Sequence, residues 1–168
     1  NDRRDFKRGT AVDSAGNESS PSSEVSAVPT SQSLPEAISF GYPIGPPEGV
    51  TEEKDGDGWY NAQDFGVSNP DFDGKLHLGE DWNAESGGDT DCGSSVYSAS
   101  AGAIVYAGNA GTELGNVVVL RHELSDGSKV ETLYAHLESI SQSSGNVGKR
   151  EQVGTIGDAN GAYEYCHL

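Results

Sequence analysis

Five side chains hold most of the chemistry this chain can do: His77, His122, His136, His167 and Asp81. His77 opens the run His77-Leu78-Gly79-Glu80-Asp81-Trp82, where a histidine and an aspartate stand four apart with a glycine between them. Glycine lets the backbone turn sharply, so the imidazole and the carboxylate can face one point. That pair suits a catalytic zinc, which usually takes three protein ligands and leaves a fourth position for water. The same spacing also fits a surface loop in which Asp81 only caps a turn. His136 ends the run Leu133-Tyr134-Ala135-His136-Leu137, and His167 is next to last in the chain. A lone strand histidine is more often a satisfied, half-buried residue than a catalyst. Three histidines and an aspartate in one β-rich chain nevertheless suggest a single constellation. No HExxH occurs, so a glutamate base of that type is absent.

The elements that must position these residues are strands. Val96–Ser98, Ala103–Gly108, Asn116–His122, Lys129–Leu137 and Gln152–Gly157 are rich in Val, Ile, Leu, Tyr and Thr, and Tyr163–Leu168 reads as a last strand cut short. No segment carries a 3.6-residue period. Ser125-Asp126-Gly127-Ser128 is a hairpin turn, since Asp-Gly tolerates positive φ. An even, symmetric loop there pairs residues whose numbers sum to 253, so His122 faces Glu131 and lies across the sheet from His136. An odd loop with a bulge reverses that placement. His122 is therefore left out of the constellation.

The chain has 168 residues, a formal charge of -17, 33% hydrophobic residues and 23 glycines. No apolar run approaches the ~18 residues of a membrane span. So acidic a chain is a poor partner for nucleic-acid phosphates. Met is 0 and the first residue is Asn1, from which a processed chain or an internal fragment is expected. The acid is concentrated at positions 48–91, with thirteen acids and two bases. Asp55-Gly56-Asp57-Gly58 hints at calcium, but Trp59 occupies the third ligand position of an EF-hand order, so a solvated acidic loop is favoured. Cys92 and Cys166 either pair in an oxidising compartment or remain two buried thiols.

Three regions are expected. Residues 1–30 include Ala11-Val-Asp-Ser-Ala-Gly-Asn-Glu-Ser-Ser-Pro-Ser-Ser-Glu-Val-Ser-Ala-Val-Pro29, which resembles the last two strands of a fibronectin type III-like module around a turn at Gly16-Asn17. Lys7-Arg8-Gly9 departs from that family, and a Ser-rich linker is the alternative. Alone, residues 1–33 should make at most a hairpin. Residues 31–47 form a Pro-rich linker ending in a docking segment, Ile38–Tyr42, and residues 48–168 form the main domain.

From about residue 41 onward the chain resembles the lysostaphin/LytM-type zinc endopeptidases. The resemblance rests on His77–Asn83, Val96–Val105, Gly115–His122, Thr132–Leu137 and Val153–Gly157, in that order and spacing. It implies an all-β, antiparallel sheet or sandwich of the duplicated hybrid type with long loops. It also implies His77 and Asp81 as ligands of Zn²⁺, and His136 and His167 as catalytic residues beside the water. The family closes its site with His-x-His, whose second histidine is the third ligand. Here His167-Leu168 supplies the first two positions, so the third ligand is expected beyond Leu168 and the 168-residue chain is expected to be inactive. The implied function is cleavage of peptide cross-links in bacterial peptidoglycan, outside the cell or in its envelope, by a chain with no membrane span, expected to be a monomer. The rival is a catalytically inactive LytM-like regulator that activates a cell-wall amidase.

Overall fold

A computed structural model describes residues 34–45, 58–69 and 74–168, together with the backbone strands at 6–7 and 25–26. Residues 11–24 of the fibronectin-like stretch, with the turn at Gly16-Asn17, and Asp55 and Asp57 of the candidate calcium loop lie outside these residues. The chain divides into two compact units, Asn1–Ser33 and Leu34–Leu168. In the first, β1 (Phe6–Lys7) pairs antiparallel with β2 (Val25–Ser26), Phe6 opposite Ser26.

The second unit is built on a six-stranded antiparallel sheet. Its strands are β7 (Ser95–Tyr97), β8 (Gly102–Asn109), β9 (Asn116–Glu123), β10 (Lys129–Ile140), β11 (Gly145–Val147) and β12 (Gln152–Ile156), in the spatial order β11-β8-β9-β10-β12-β7. Two small pairs accompany it. β3 (Trp59–Gln63) pairs with β6 (Asp81–Ala84), and β4 (Ser68–Asn69) pairs with β5 (Lys75–Leu76). There is no helix among the described residues, so the molecule is all-β and antiparallel, as the sequence implied.

The β-branched and aromatic residues that suit a pleated surface also fill the core. Val118, Leu120, Leu137, Val153, Ile156 and Val96 are fully buried, and Trp82, Tyr134 and Ile44 close over them. Each such side chain contributes roughly 1.5–3 kcal/mol of burial free energy. The segment 34–45 is held on this unit. Ala37 donates its N–H to Glu123 O, Tyr97 donates to Pro43 O, and the Arg150 guanidinium donates to the carbonyls of Tyr42 and Ile44.

The β9–β10 hairpin departs from the expected register. Its connection is five residues long, with Glu123 opposite Lys129, so paired numbers sum to 252 and His122 faces Val130, not Glu131. The added residue is accommodated because Asp126 accepts from the Ser128 N–H at 2.8 Å while Gly127 takes a φ of 81°. A second irregularity follows. Tyr134 pairs with Val118 but Leu137 pairs with Asn116, which leaves Ala135 and His136 opposite Val117 alone. This bulge shifts the alternation, and Leu137 is buried in the core while His136 turns to the other side. The odd loop alone would put His122 and His136 on one face, and the separate bulge at 135–136 undoes that, so the two lie apart and the reversal expected of an odd loop does not occur.

The last expected strand also differs. Ala159, Asn160 and Gly161 take positive φ, and Asp158 accepts from the backbone N–H groups of Gly161, Ala162 and Tyr163, so 158–163 is a folded loop. Only His167 bridges to Gly157, and Leu168 exchanges two backbone hydrogen bonds with Trp82. β11 and the β3–β6 pair carry too little alternation to be read from sequence.

Candidate active site

His77 sits between β5 and β6 and is fixed by its backbone. Its N–H donates to Val67 O and its carbonyl accepts from Gly66 N–H, both at 2.8 Å. Asp81 opens β6. The turn between them brings His77 Nε2 to 3.1 Å from Asp81 Oδ1. Two ligand atoms on one tetrahedral ion, each ~2.0–2.2 Å from it, stand ~3.3 Å apart, so the pair fits a zinc-type ion. His77 Nδ1 is buried and has no hydrogen-bond partner, so the contact that orients this ring in the groove is the one Nε2 makes with Asp81.

His136 occupies the bulge with a φ of 60°, a left-handed conformation that costs a non-glycine residue of order 1–3 kcal/mol. The cost is met by three fixtures. His136 N–H donates to Leu114 O at 2.9 Å, Leu137 is anchored in the core, and Gly157 packs against the His136 carbonyl. Burial, then the neighbouring His167 and His77, push the His136 pKa down from 6.5 to about 4. It is therefore a neutral imidazole at physiological pH.

His167 reaches the same point from a third strand position. Its N–H donates to Gly157 O at 3.1 Å, and its Nδ1 stands 3.1 Å from Tyr165 O. A carbonyl only accepts, so Nδ1 carries a proton in this contact. Gly157 is the neighbour of both histidines. A Cβ there would lie 2.8 Å from His136 O and 2.6 Å from Glu138 N. Neighbouring strands are ~4.8 Å apart. His136 and His167 are thus two strand spacings apart with no side chain between them. Their rings lean over Gly157 and meet with centroids 4.6 Å apart.

Tyr163 completes the cluster and was not legible in the sequence. Its ring stands edge-on to His136 and to His167, each at 4.8 Å. Its hydroxyl donates to Glu113 O at 3.1 Å. Burial, then the charges of Glu113 and Asp81, hold its phenol above the ordinary pKa, so it remains a donor. No motif marks it, because it reaches the site only through the fold of the 158–163 loop.

His77, Asp81, His136, Tyr163 and His167 all line one groove of about 810 Å³. Apolar Leu76, Leu78, Leu114 and Leu133 line it as well. The four residues named from sequence are therefore brought together. His122 is not among them. It is fully buried under Phe40, with Nδ1 2.8 Å from Ala101 O and Nε2 2.8 Å from Thr132 Oγ1. A disulfide joins Cys92 to Cys166, directly beside His167. Asp89 lies against those sulfurs, but the bond between them removes the thiolates that a metal would need.

The architecture is an antiparallel β-sheet unit with an imidazole-lined groove. The sequence matches the model of peptidase family M23 over residues 75–168, more than half of the chain, and the chain belongs to that family. Curated relatives include proteins named DD-carboxypeptidase/endopeptidase Mpg from Neisseria meningitidis serogroup B and from Neisseria gonorrhoeae. Each is 39% identical over 83 residues, which is 49% of this chain and 17% of the relative. The chain thus spans about a sixth of the length of those relatives.

Proposed function

We propose that this chain carries the core of a zinc-dependent endopeptidase that hydrolyses peptide cross-links of bacterial peptidoglycan. The observation that carries the reading is the convergence of an imidazole–carboxylate pair, His77 and Asp81, with two neutral-capable imidazoles, His136 and His167, in one groove. Membership of a peptidase family supports the reaction class, and the name of the Neisseria relatives supports the substrate. The disulfide accords with a location outside the cytoplasm.

His77 and Asp81 would hold the metal. The third ligand is assigned to the position following Leu168. Leu168 and Trp82 exchange backbone hydrogen bonds at 2.9 and 3.2 Å, so the next residue along that strand would stand opposite Asp81. Residues directly opposite in an antiparallel pair share a face. Zinc, when bound, supplies Lewis acidity that polarises a carbonyl and acidifies water towards a pKa of ~7. The protein supplies the proton handling. His136 remains neutral beside His167, so between them they serve the attacking water and the developing oxyanion. Leu76, Leu78, Leu114 and Leu133, which line the groove, would give a bound peptide apolar contacts.

The test compares the 168-residue chain with the same chain extended by one histidine. The extended form should bind zinc and clear cell-wall suspensions, whereas the shorter form should bind zinc several kcal/mol more weakly and clear little. Zinc binding without clearance, together with stimulation of an amidase, would favour the regulator instead.

A further inference from the structure

We propose that Tyr163 is the positioning residue that holds His136 and His167 in a common orientation, a role that rests on the peptidase reading above. Three aromatic rings, Tyr163, His136 and His167, contact one another pairwise at 4.6–4.8 Å over Gly157, which contributes no side chain. Among the described residues, His136 Nδ1 has no hydrogen-bond partner, and the His167 ring is held through Nδ1 to Tyr165 O. An imidazole restrained at one atom or none can rotate about χ2, which is a broad torsion. The Tyr163 ring stands edge-on to both, at 69° to His136 and 81° to His167, and so blocks that rotation for the pair together.

The fold invests in presenting this ring. Asp158 gathers the N–H groups of Gly161, Ala162 and Tyr163, and Ala159 fits against Gly115, where a Cβ would lie 2.6 Å from Ala159 Cα. The Tyr163 hydroxyl then reaches across to Glu113 O, and the next carbonyl, Leu114 O, receives the His136 N–H. One turn of the β8–β9 loop therefore anchors both the tyrosine and the bulge that carries His136. The ring does the positioning, while the hydroxyl ties it to this loop.

Two readouts test the assignment. In the 168-residue chain, the nuclear Overhauser contacts between the imidazole ring protons of His136 and His167 are compared among wild type, Tyr163→Phe, Tyr163→Leu and Tyr163→Thr. Phe keeps the ring and should keep these ring–ring contacts. Leu and Thr should weaken or lose them, and either folded variant suffices. In the form of the protein that hydrolyses peptide, Tyr163→Leu should lower kcat by about tenfold or more with KM within about threefold. Tyr163→Phe should recover kcat to within about threefold of wild type. Unchanged ring–ring contacts in folded Leu and Thr variants would overturn the assignment. So would a Phe variant as impaired as Leu, which would make the hydroxyl the acting group. If wild type hydrolyses nothing, the peptidase reading fails, and the ring–ring contacts still decide whether Tyr163 orients the two imidazoles.

Discussion

His136 shows how much of the site depends on a single backbone conformation. A left-handed residue inside a strand would ordinarily be glycine or asparagine. Here it is the bulge that turns the imidazole out of the core and into the groove. If His136 serves water and not metal, His136→Ala should retain most of the zinc yet lose hydrolysis by about 10²–10⁴-fold. His77→Ala should weaken zinc binding by about a hundredfold or more, because it removes a direct ligand. Metal analysis after dialysis, set beside the rate of peptide release, separates the two cases. A His136→Ala protein without zinc would make that imidazole a ligand. His77, Asp81, His136 and His167 were legible because few residue types bind metal or move protons near neutral pH, and their spacing matched a known pattern. Tyr163 was not, since tyrosines are common and nothing in its neighbours fixes where a left-handed loop will deliver it.

Among the elements, Gly157 decides whether the imidazoles of His136 and His167 can meet. It is sandwiched between the His136–Glu138 backbone and His167, with no room for a Cβ. Gly157→Val should cost about 1–3 kcal/mol from overpacking and should separate the rings as well. A thermal melt together with the loss of hydrolysis checks both, and a stable, fully active variant would show that the sheet opens at no cost. The Cys92–Cys166 bond acts on the same strand end. Replacing both cysteines by serine should lower stability by about 2–4 kcal/mol, read from denaturant midpoints. Strand identity in this region was legible from Val, Ile and Tyr runs. Register was not, because one residue in the 124–128 turn and one in the bulge each invert every side chain that follows. The two inversions restored the separation of His122 from His136, although each step differed from the symmetric expectation.

For the whole molecule, pH links the site to stability. His136 is held at about 4 in the folded chain, below its ordinary value of 6.5. Between those values the unfolded chain binds a proton that the folded chain does not, so this group's contribution to stability rises with pH from about 4 to 6.5. Chelator-treated wild type should therefore lose melting temperature on acidification through that window more steeply than His136→Ala. Equal slopes would mean that His136 titrates normally. The overall charge of -17 is evident from composition and argues against nucleic acid as a partner, but it does not locate the groove, which forms where three distant segments converge.

If these residues hydrolyse a peptide bond with the help of a bound metal, mass spectrometry of purified peptidoglycan after incubation with the histidine-extended, zinc-loaded chain should show new amino and carboxyl termini within the cross-linking peptides, lost on chelation and restored by zinc. Intact peptides under zinc-saturated conditions, or cleavage that persists after complete removal of metal, would contradict metal-assisted hydrolysis at this site.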